Sequence, residues 1–258
     1  MQILQLDSRK VIGTSGSGNQ SKVWVDKNHL VKVNSKFRES SKEVDAYKLG
    51  SILGLNCAEY NEINVILHNS KRKACITKSF IQSGELEVTV ASILDSLDVV
   101  IPIKMSAIDY INTTVEAIHR FTNLDIESIY SWIYDMLVFD YIICNNDRHL
   151  TNFELLYNKN TNSFRFAPYY DHGQSFLGTD ATLSKMEYTK YERKLKSRPF
   201  STNPDRNIGD YARAKNSLIK MLSSSNGLKG IEESSIGIGH KTTILRRIHR
   251  LMDILNKI

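Results

Sequence analysis

Apolar and polar residues alternate over short runs in the first third of the chain, which predicts β-strands there. The runs are SKVWVD, HLVKVNS, EINVILH and KACITKSFI, at residues 21–26, 29–35, 62–68 and 73–81. The first two flank Lys27–Asn28, where we expect a turn. Between the two pairs, the apolar residues of 40–55 fall near helical spacing, with Ser40 or Ser41 as the N-cap and Gly54 as the stop.

Helical spacing takes over from about residue 86. Residues 127–143, ESIYSWIYDMLVFDYII, and residues 242–258 place apolar side chains at offsets of three and four, as core-facing helices do. Residues 153–158 and 164–171, FELLYN and FRFAPYYD, predict two strands joined by KNTNS in a hairpin.

The order of these elements predicts two lobes. A small β-rich lobe at 1–85 precedes a larger, mainly helical lobe at 86–258, so the predicted fold class is α+β. A chain of 258 residues is long enough for one large domain or two small ones.

The composition is that of an ordinary globular protein, with 41% hydrophobic and 24% charged residues. Lysine and arginine (34) exceed aspartate and glutamate (28), an excess that permits a polyanionic partner such as a nucleotide or RNA without requiring one. No apolar run approaches the roughly 20 residues of a membrane span, and the N-terminus lacks the layout of a signal peptide. Cys57, Cys75 and Cys144 share no metal-ligand spacing, and their odd number argues against a disulfide framework. We therefore expect a reduced, cytoplasmic setting.

Glycines and small hydroxyl residues alternate in VIGTSGSGNQSKVWVD, residues 11–26, between two predicted strands. Gly13, Gly16 and Gly18 would let backbone amides approach an anion closely, so this loop can fold over phosphates. It is not a Walker loop, because no GK[ST] follows, and not a Rossmann fingerprint, because no helix opens after it. A glycine-rich hairpin loop without a ligand fits the same residues.

Lys32 interrupts the apolar alternation of the next predicted strand. A lysine one strand beyond a glycine-rich loop is where protein-kinase-like lobes hold their phosphate-binding lysine. Glu43, on the following predicted helix, is a candidate partner for it. A solvent-facing strand lysine is the alternative interpretation.

Polar side chains crowd the stretch CNNDRHLTNFELL, residues 144–156, more densely than a turn requires. Asp147 is followed five residues later by Asn152, and Asp171 lies at the end of the second predicted hairpin strand. Phosphoryl transfer needs a carboxylate near the attacking hydroxyl and oxygen ligands for Mg²⁺. These three residues have the chemistry, order and spacing of a kinase catalytic loop and metal-binding segment. We favour this interpretation over the alternative, in which all three only form turns.

The chain resembles the HipA-like serine/threonine kinases, known from bacterial toxin–antitoxin systems. The family pattern N-x-D-R-H-x-x-N is matched by NNDRHLTN at 145–152, and A-P-x-Y-D is matched by APYYD at 167–171. The resemblance extends from about Gly13 to RPFS at 198–201. It implies a two-lobed, protein-kinase-like fold and an ATP- and Mg²⁺-dependent protein serine/threonine kinase.

The resemblance also implies roles for particular residues. Asp147 would be the catalytic base, Asn152 and Asp171 the Mg²⁺ ligands, and Lys32 the lysine on the ATP phosphates. The loop residues that would cover the nucleotide are Gly13, Ser15, Gly16, Ser17 and Gly18. The hinge that holds the adenine would involve backbone groups near Lys78, Phe80 and Ile81.

Three features depart from the family pattern. The glycine-rich loop begins at residue 13, where full-length HipA proteins carry an extra N-terminal subdomain, so the chain resembles the shorter, stand-alone members. DHG stands where eukaryotic kinases have D-F-G, and Asn145 replaces the histidine of H-R-D, so regulation by a flipping phenylalanine does not follow. We expect His149 to orient the loop as a core residue and Arg148 to pair with a carboxylate or a phosphorylated residue.

Further expectations concern partners and regulation. Basic residues crowd positions 185–198, where an acidic or RNA-bound protein substrate is expected to dock, although a solvated loop is the favoured alternative. An antitoxin is another candidate partner. Kinases resembling HipA can phosphorylate a serine in the glycine-rich loop, so Ser15 and Ser17 are candidate autophosphorylation sites. Two rival functions stay open: a lipid or small-molecule kinase on the same fold, and a non-catalytic kinase-like effector or binding module.

Overall fold

The alternating segments near the N-terminus pair into one sheet in the computed structural model, which describes residues 3–7, 9, 11–12, 20–35, 38–224 and 226–257. The strands are β1 (Leu4–Gln5), β2 (Val11–Ile12), β3 (Ser21–Trp24), β4 (His29–Val33), β5 (Asn61–Leu67) and β6 (Ser70–Lys78). Their order across the sheet is β1-β5-β6-β4-β3-β2. β1 runs parallel to β5, and the other neighbours pair antiparallel.

Two tight turns set the register of this sheet. The Asp26 carboxylate accepts hydrogen bonds from the backbone amides of Asn28 (2.7 Å) and His29 (2.9 Å), which confirms the turn predicted at 27–28. His68 and Asn69 join β5 to β6, with φ angles of 48° and 58°. Two successive left-handed residues are what a two-residue hairpin loop requires.

Helix α1 (Glu39–Ile52) lies against β5 and β6. It ends at the predicted stop, because Gly54 follows with a φ of 70°. The predicted N-cap is wrong. Ser40 and Ser41 lie within the first turn, and the cap is supplied from before the helix, since the Asn34 side-chain oxygen accepts a hydrogen bond from the Ser40 amide at 2.7 Å.

A second sheet has the order β7-β8-β9, formed by β7 (Glu85–Thr89), β8 (Glu154–Asn158) and β9 (Ser163–Phe166). β8 and β9 confirm the predicted hairpin. β9 ends before residue 171 because Pro168 has no amide hydrogen to donate to a ladder, and beyond it Tyr169 forms an isolated bridge with Cys57. The sequence pattern does not predict β7, and the predicted lobe boundary falls at its first residue.

The remaining helices make up most of the C-terminal part. They are α2 (Val90–Ser96), α3 (Ala107–Thr122), α4 (Ile126–Ile143), α5 (Lys185–Glu192), α6 (Pro204–Asn207), α7 (Tyr211–Ser223), α8 (Leu228–Glu233) and α9 (Ile238–Leu255). α4 is buried on nearly all sides and packs against α3, α7 and α9. On one side, the Trp132 ring stacks on Phe153 and Phe166, with centroids 4.1 and 4.6 Å away. In the ranges given above, no helix combines the length and apolar character needed to cross a membrane.

The position of α4 determines where the polar loop after residue 143 begins. α4 ends at Ile143, and Cys144 takes a left-handed conformation with a φ of 55°. Because α4 is fixed by the core around it, the polar residues that follow begin at a fixed point. The loop therefore starts from a rigid support.

Candidate active site

Lys32 lies in the middle of the first sheet with its side chain only 3% exposed. Its neighbours Val31 and Val33 point into the apolar core of the sheet, so Lys32 points to the opposite face, toward α1. Its Nζ lies 2.7 Å from Glu43 Oε1 and 2.7 Å from Asp171 Oδ1. The predicted pairing of Lys32 with Glu43 is confirmed, and Asp171 joins it from 139 residues away.

The charges of this cluster follow from burial and from the two carboxylates. Burial opposes the charge of Lys32, but Asp171 and Glu43 outweigh it and raise the pKa of the amine well above its ordinary value. Burial also opposes the charge of Asp171, yet Lys32 holds the pKa of this carboxyl below its ordinary value. Burial raises the pKa of Glu43, although Lys32 acts in the opposite direction. The cation and the Asp171 carboxylate are therefore ionised together.

Arg148 holds the polar loop together from inside. Its side chain is 1% exposed, and its guanidinium donates to both oxygens of Asp140 at 2.8 and 3.1 Å, which confirms the predicted pairing with a carboxylate. It also donates to the backbone carbonyls of Asn152 (3.1 Å) and Tyr170 (2.8 Å). Asn145 donates to the same Asp140 carboxylate at 2.9 Å. One buried cation thus links the end of α4, the loop and the segment before Asp171.

Asp147 lies at the surface of this loop with its side chain 26% exposed. Its Oδ1 is 2.6 Å from His149 Nε2 and 3.8 Å from Arg198 Nη1. Arg198 Nη1 also lies 2.8 Å from His149 Nε2. His149 therefore contacts a loop residue, as expected. Its side chain is 32% exposed, so the expectation that it is a core residue is wrong.

Asn152 and Asp171 meet beside Lys32. The Asn152 side-chain amide donates to Asp171 Oδ2 at 3.2 Å. Asp171 has a φ of 62°, in the left-handed region that aspartate tolerates better than most residues. The next amide, that of His172, donates to Glu43 Oε2 at 2.8 Å. Glu43 therefore fixes both Lys32 and the backbone beside Asp171.

The predicted hinge lies between β6 and β7. The Phe80 carbonyl accepts a hydrogen bond from Arg165 at 2.8 Å, and Arg165 in turn pairs with Glu85 at 2.7 Å. The Phe80 ring lies 5.4 Å from that of Tyr170, which precedes Asp171. Lys78 is exposed at the end of β6, and Ile81 is partly buried. The Phe80 carbonyl is thus held by the second sheet.

Sequence reasoning missed Glu154, which lies two residues after Asn152. The residue is 8% exposed, and its Oε2 has no hydrogen-bond partner among the described residues. Burial raises the pKa of Glu154 to about 7, despite a hydrogen bond from the Tyr170 side chain. Nothing in the sequence distinguishes it from an ordinary strand residue, because its surroundings depend on the pairing of β7, β8 and β9.

The glycine-rich loop cannot be placed in the same way. Gly13, Ser15, Gly16, Ser17 and Gly18 lie outside the described residues. The flanking strands β2 and β3 pair antiparallel, with Val11 opposite Val23. The strands on either side of the loop therefore form a hairpin, as the sequence predicts.

Comparisons with known proteins agree with this architecture. The family described as HipA-like C-terminal domain matches residues 14–227. The crystal structure of the Helicobacter pylori proinflammatory kinase CtkA aligns with a TM-score of 0.65 and 17% identity, covering 99% of this chain and 97% of that one. A chain from the Shewanella oneidensis MR-1 toxin–antitoxin structure, which contains HipA, HipB and their operator DNA, aligns with a TM-score of 0.56 and 15% identity. That alignment covers 97% of this chain and 67% of the other.

No curated protein matches the chain in sequence. The likeness to the two structures establishes the fold, because both align over nearly the whole chain. The predicted α+β, two-lobed kinase-like fold is confirmed, with a sheet-rich N-terminal lobe and a helical C-terminal lobe. Identities of 17% and 15% do not carry over what those proteins act on.

Proposed function

The chain belongs to the HipA-like C-terminal domain family, and from this membership and the geometry of the site we propose that it is an ATP- and Mg²⁺-dependent serine/threonine protein kinase. One observation carries the proposal. Lys32 lies 2.7 Å from both Glu43 and Asp171, and Asp171 accepts from Asn152 in the loop that also presents Asp147. A lysine, a metal-binding carboxylate and a loop carboxylate in this relation are what phosphoryl transfer from a nucleotide needs.

On the nucleotide side, Lys32 is the residue that would contact the phosphates. The two carboxylates compensate for the free-energy cost of burying this amine, so Lys32 stays charged in the absence of ligand. Glu43 keeps the amine in place when Asp171 turns to another partner. Gly13, Gly16 and Gly18 are proposed to cover the phosphates, and the backbone near Phe80 is proposed to meet the base.

The residues near Asp171 fit a magnesium ion. Asp171 and Asn152 together offer carboxylate and amide oxygens, and Mg²⁺ is bound by one or two such groups while phosphates and waters complete its shell. The Asp171 carboxyl is ionised, because Lys32 lowers its pKa against the effect of burial. When bound, the ion would neutralise the charge of the transferring phosphate. Asp171 would then exchange a hydrogen bond from Asn152 for the metal.

Asp147 is the proposed proton acceptor for the substrate hydroxyl. It is partly exposed, so an acceptor side chain can reach it, while its backbone amide donates to Asn145 at 3.2 Å. His149 contacts one of its oxygens at 2.6 Å and Arg198 lies 3.8 Å from the same oxygen, so both side chains limit the rotation of the carboxylate. We assign these two residues a positioning role.

Other expectations remain predictions. The division into lobes at 1–85 and 86–258 is one of them, and autophosphorylation at Ser15 or Ser17 is another. An antitoxin partner is also a prediction, supported by the presence of HipB together with HipA in the similar structure from Shewanella oneidensis.

Transfer of labelled γ-phosphate from ATP tests the proposal. The full chain is incubated with Mg²⁺ and with three acceptors in parallel: itself, casein as a generic protein, and phosphatidylinositol vesicles. We expect label on serine or threonine of protein. Asp147→Asn should abolish transfer while nucleotide binding persists, and Asp171→Asn should weaken Mg²⁺-dependent nucleotide binding because a metal ligand loses its charge.

Asp253→Asn is the matched control, because Asp253 is an exposed aspartate on α9. Label on lipid alone would replace the protein-kinase assignment with a lipid kinase. Nucleotide binding without transfer to any acceptor would favour a non-catalytic kinase-like module. Near-normal phosphate transfer by Asp147→Asn would show that Asp147 is not the proton acceptor for the substrate hydroxyl.

A further inference from the structure

Helix α5 is a short, well-anchored helix between Asp171 and Arg198. Ser184 and Glu187 form a reciprocal capping box at its start, with hydrogen bonds of 3.3 and 2.9 Å. Tyr188 is 8% exposed and lies under the Arg246 guanidinium of α9, 4.9 Å from the ring centre. One face of α5 is thus fixed to the C-terminal lobe.

The opposite face of α5 and the turn after it form a shallow groove of about 560 Å³. The side chains that line this groove are Lys185, Met186, Thr189, Lys190, Arg193 and Lys194. Their spacing places them on one side of the helix and its continuation. Met186 is 81% exposed and lies among the four cations. We call this surface the α5 basic face.

The carboxylates within this stretch do not neutralise the α5 basic face. Glu187 is used in the capping box, and Glu192 pairs with Arg247 at 2.8 Å and Arg250 at 3.3 Å. Across the described ranges, the side chains of the face's four cations form neither an ion pair nor a hydrogen bond. The positive potential of the α5 basic face is therefore left facing the solvent.

The α5 basic face also lies close to the proposed catalytic base along the chain. Arg193 closes the groove, and Arg198, five residues later, lies 2.8 Å from His149 and 3.8 Å from Asp147. Five residues span at most roughly 18 Å when fully extended. The Arg198 side chain and its separation from Asp147 add to this distance, so an extended peptide with its acceptor hydroxyl at Asp147 reaches the groove with residues roughly five to nine positions away.

We propose that the α5 basic face binds an acidic segment of the protein substrate, near the residue that receives phosphate. This inference rests on the proposed function. The four cations supply attraction and orientation for carboxylates, and such attraction mainly increases the rate and specificity of encounter. Exposed Met186 offers an apolar contact that suits a peptide with an apolar side chain among its acids, and a nucleic-acid phosphate backbone has no group for it.

Direct binding separates this inference from catalysis. The probe is a fluorescein-labelled peptide, Ser-Gly-Gly-Gly-Gly-Glu-Glu-Leu-Glu-Glu, measured by anisotropy with the full chain and compared with its Gln-substituted counterpart and with a single-stranded oligouridine. We expect the acidic peptide to bind more tightly than the Gln peptide, and its affinity to fall as salt rises. The Asp147→Asn variant should bind it normally, because this residue is not part of the groove.

The test variant combines Lys185→Gln, Lys190→Gln and Lys194→Gln. All three side chains are exposed, so the fold should be retained. We expect roughly tenfold weaker binding of the acidic peptide, equivalent to about 1.4 kcal/mol. The control combines Lys71→Gln, Lys104→Gln and Lys159→Gln, which changes the net charge equally at exposed positions elsewhere and should leave binding within about twofold of wild type.

Activity then shows which idea fails. If the chain transfers phosphate to itself at a normal rate in the triple variant, while KM rises for an acidic peptide acceptor and stays constant for ATP, both ideas hold. Equal peptide affinity for wild type and the triple variant overturns the docking inference and leaves the kinase proposal intact. Oligouridine binding that is lost in the triple variant, without peptide binding, reassigns the face to nucleic acid. Peptide binding without any phosphate transfer refutes the kinase proposal instead.

Discussion

Replacing Arg148 with methionine removes the buried donor on which the polar loop depends. In the native protein this guanidinium makes two hydrogen bonds to Asp140, at 2.8 and 3.1 Å, and one each to the carbonyls of Asn152 and Tyr170. The side chains of Arg148 and Asp140 are 1% and 4% exposed. Breaking a buried pair by removing one partner costs about 3–5 kcal/mol, because the other charge stays buried. In a chain of this length each kcal/mol lowers Tm by roughly 2–4 °C, so we expect a loss of about 6–20 °C.

Thermal unfolding followed by circular dichroism measures this effect. Arg148→Lys keeps the charge but cannot reproduce the planar fork that serves four acceptors, so its Tm should lie between those of wild type and Arg148→Met. Arg148→Met combined with Asp140→Leu should be less destabilised than the sum of the two single changes, because the uncompensated carboxylate is gone. Arg72→Met is the control, since Arg72 is exposed on β6. A Tm for Arg148→Met within about 3 °C of wild type would refute the reasoning.

Two more predictions concern other buried polar contacts of carboxylates. His240→Phe removes contacts of 2.7 Å with Asp45 and 3.0 Å with Asp180. We expect the free energy of unfolding, measured in urea, to fall by about 1–3 kcal/mol, and kcat to fall as well. Unchanged values of both would contradict a role of His240 in holding α1. Hydrogen bonds from Arg165 lower the pKa of Glu85. The stability from that pair is full above the ordinary carboxyl pKa and is lost as pH falls through the lower folded value, so Glu85→Gln should flatten the decline of Tm between about pH 5 and about pH 3.

The sequence predicts those parts of the fold that depend on local pattern. Period-two alternation predicts β3 to β6, and a period of 3.6 predicts α4 and α9. In each element, the apolar side chains that face the core recur at the period of that secondary structure. The apolar residues of α4 recur at offsets of three and four, which identifies it as a core-facing helix, and it is buried on nearly all sides. The start of α1 is less well predicted than its end, since its cap comes from Asn34, six residues before Ser40.

From local pattern alone, the candidate site is predictable where its residues are close in sequence. Asp147 and Asn152 are five residues apart in a stretch that is more polar than a turn requires, so the sequence alone identifies them as candidate site residues. Arg198 and His149 are 49 residues apart, and His240 and Asp45 are 195 apart. No local pattern connects such pairs, because they are brought together by the packing of α9 and the segment after Asp171.

The buried charges of α1 have a common explanation in its position between the lobes. Glu43 accepts from Lys32 with one oxygen (2.7 Å) and from the His172 amide with the other (2.8 Å). Two residues later, Asp45 accepts from the Gly237 amide at 2.9 Å and contacts His240 at the start of α9. An apolar helix face could slide against either lobe, whereas these directional bonds fix one placement. The position of Lys32 beside Asp171 is therefore set by contacts that extend to the start of α9.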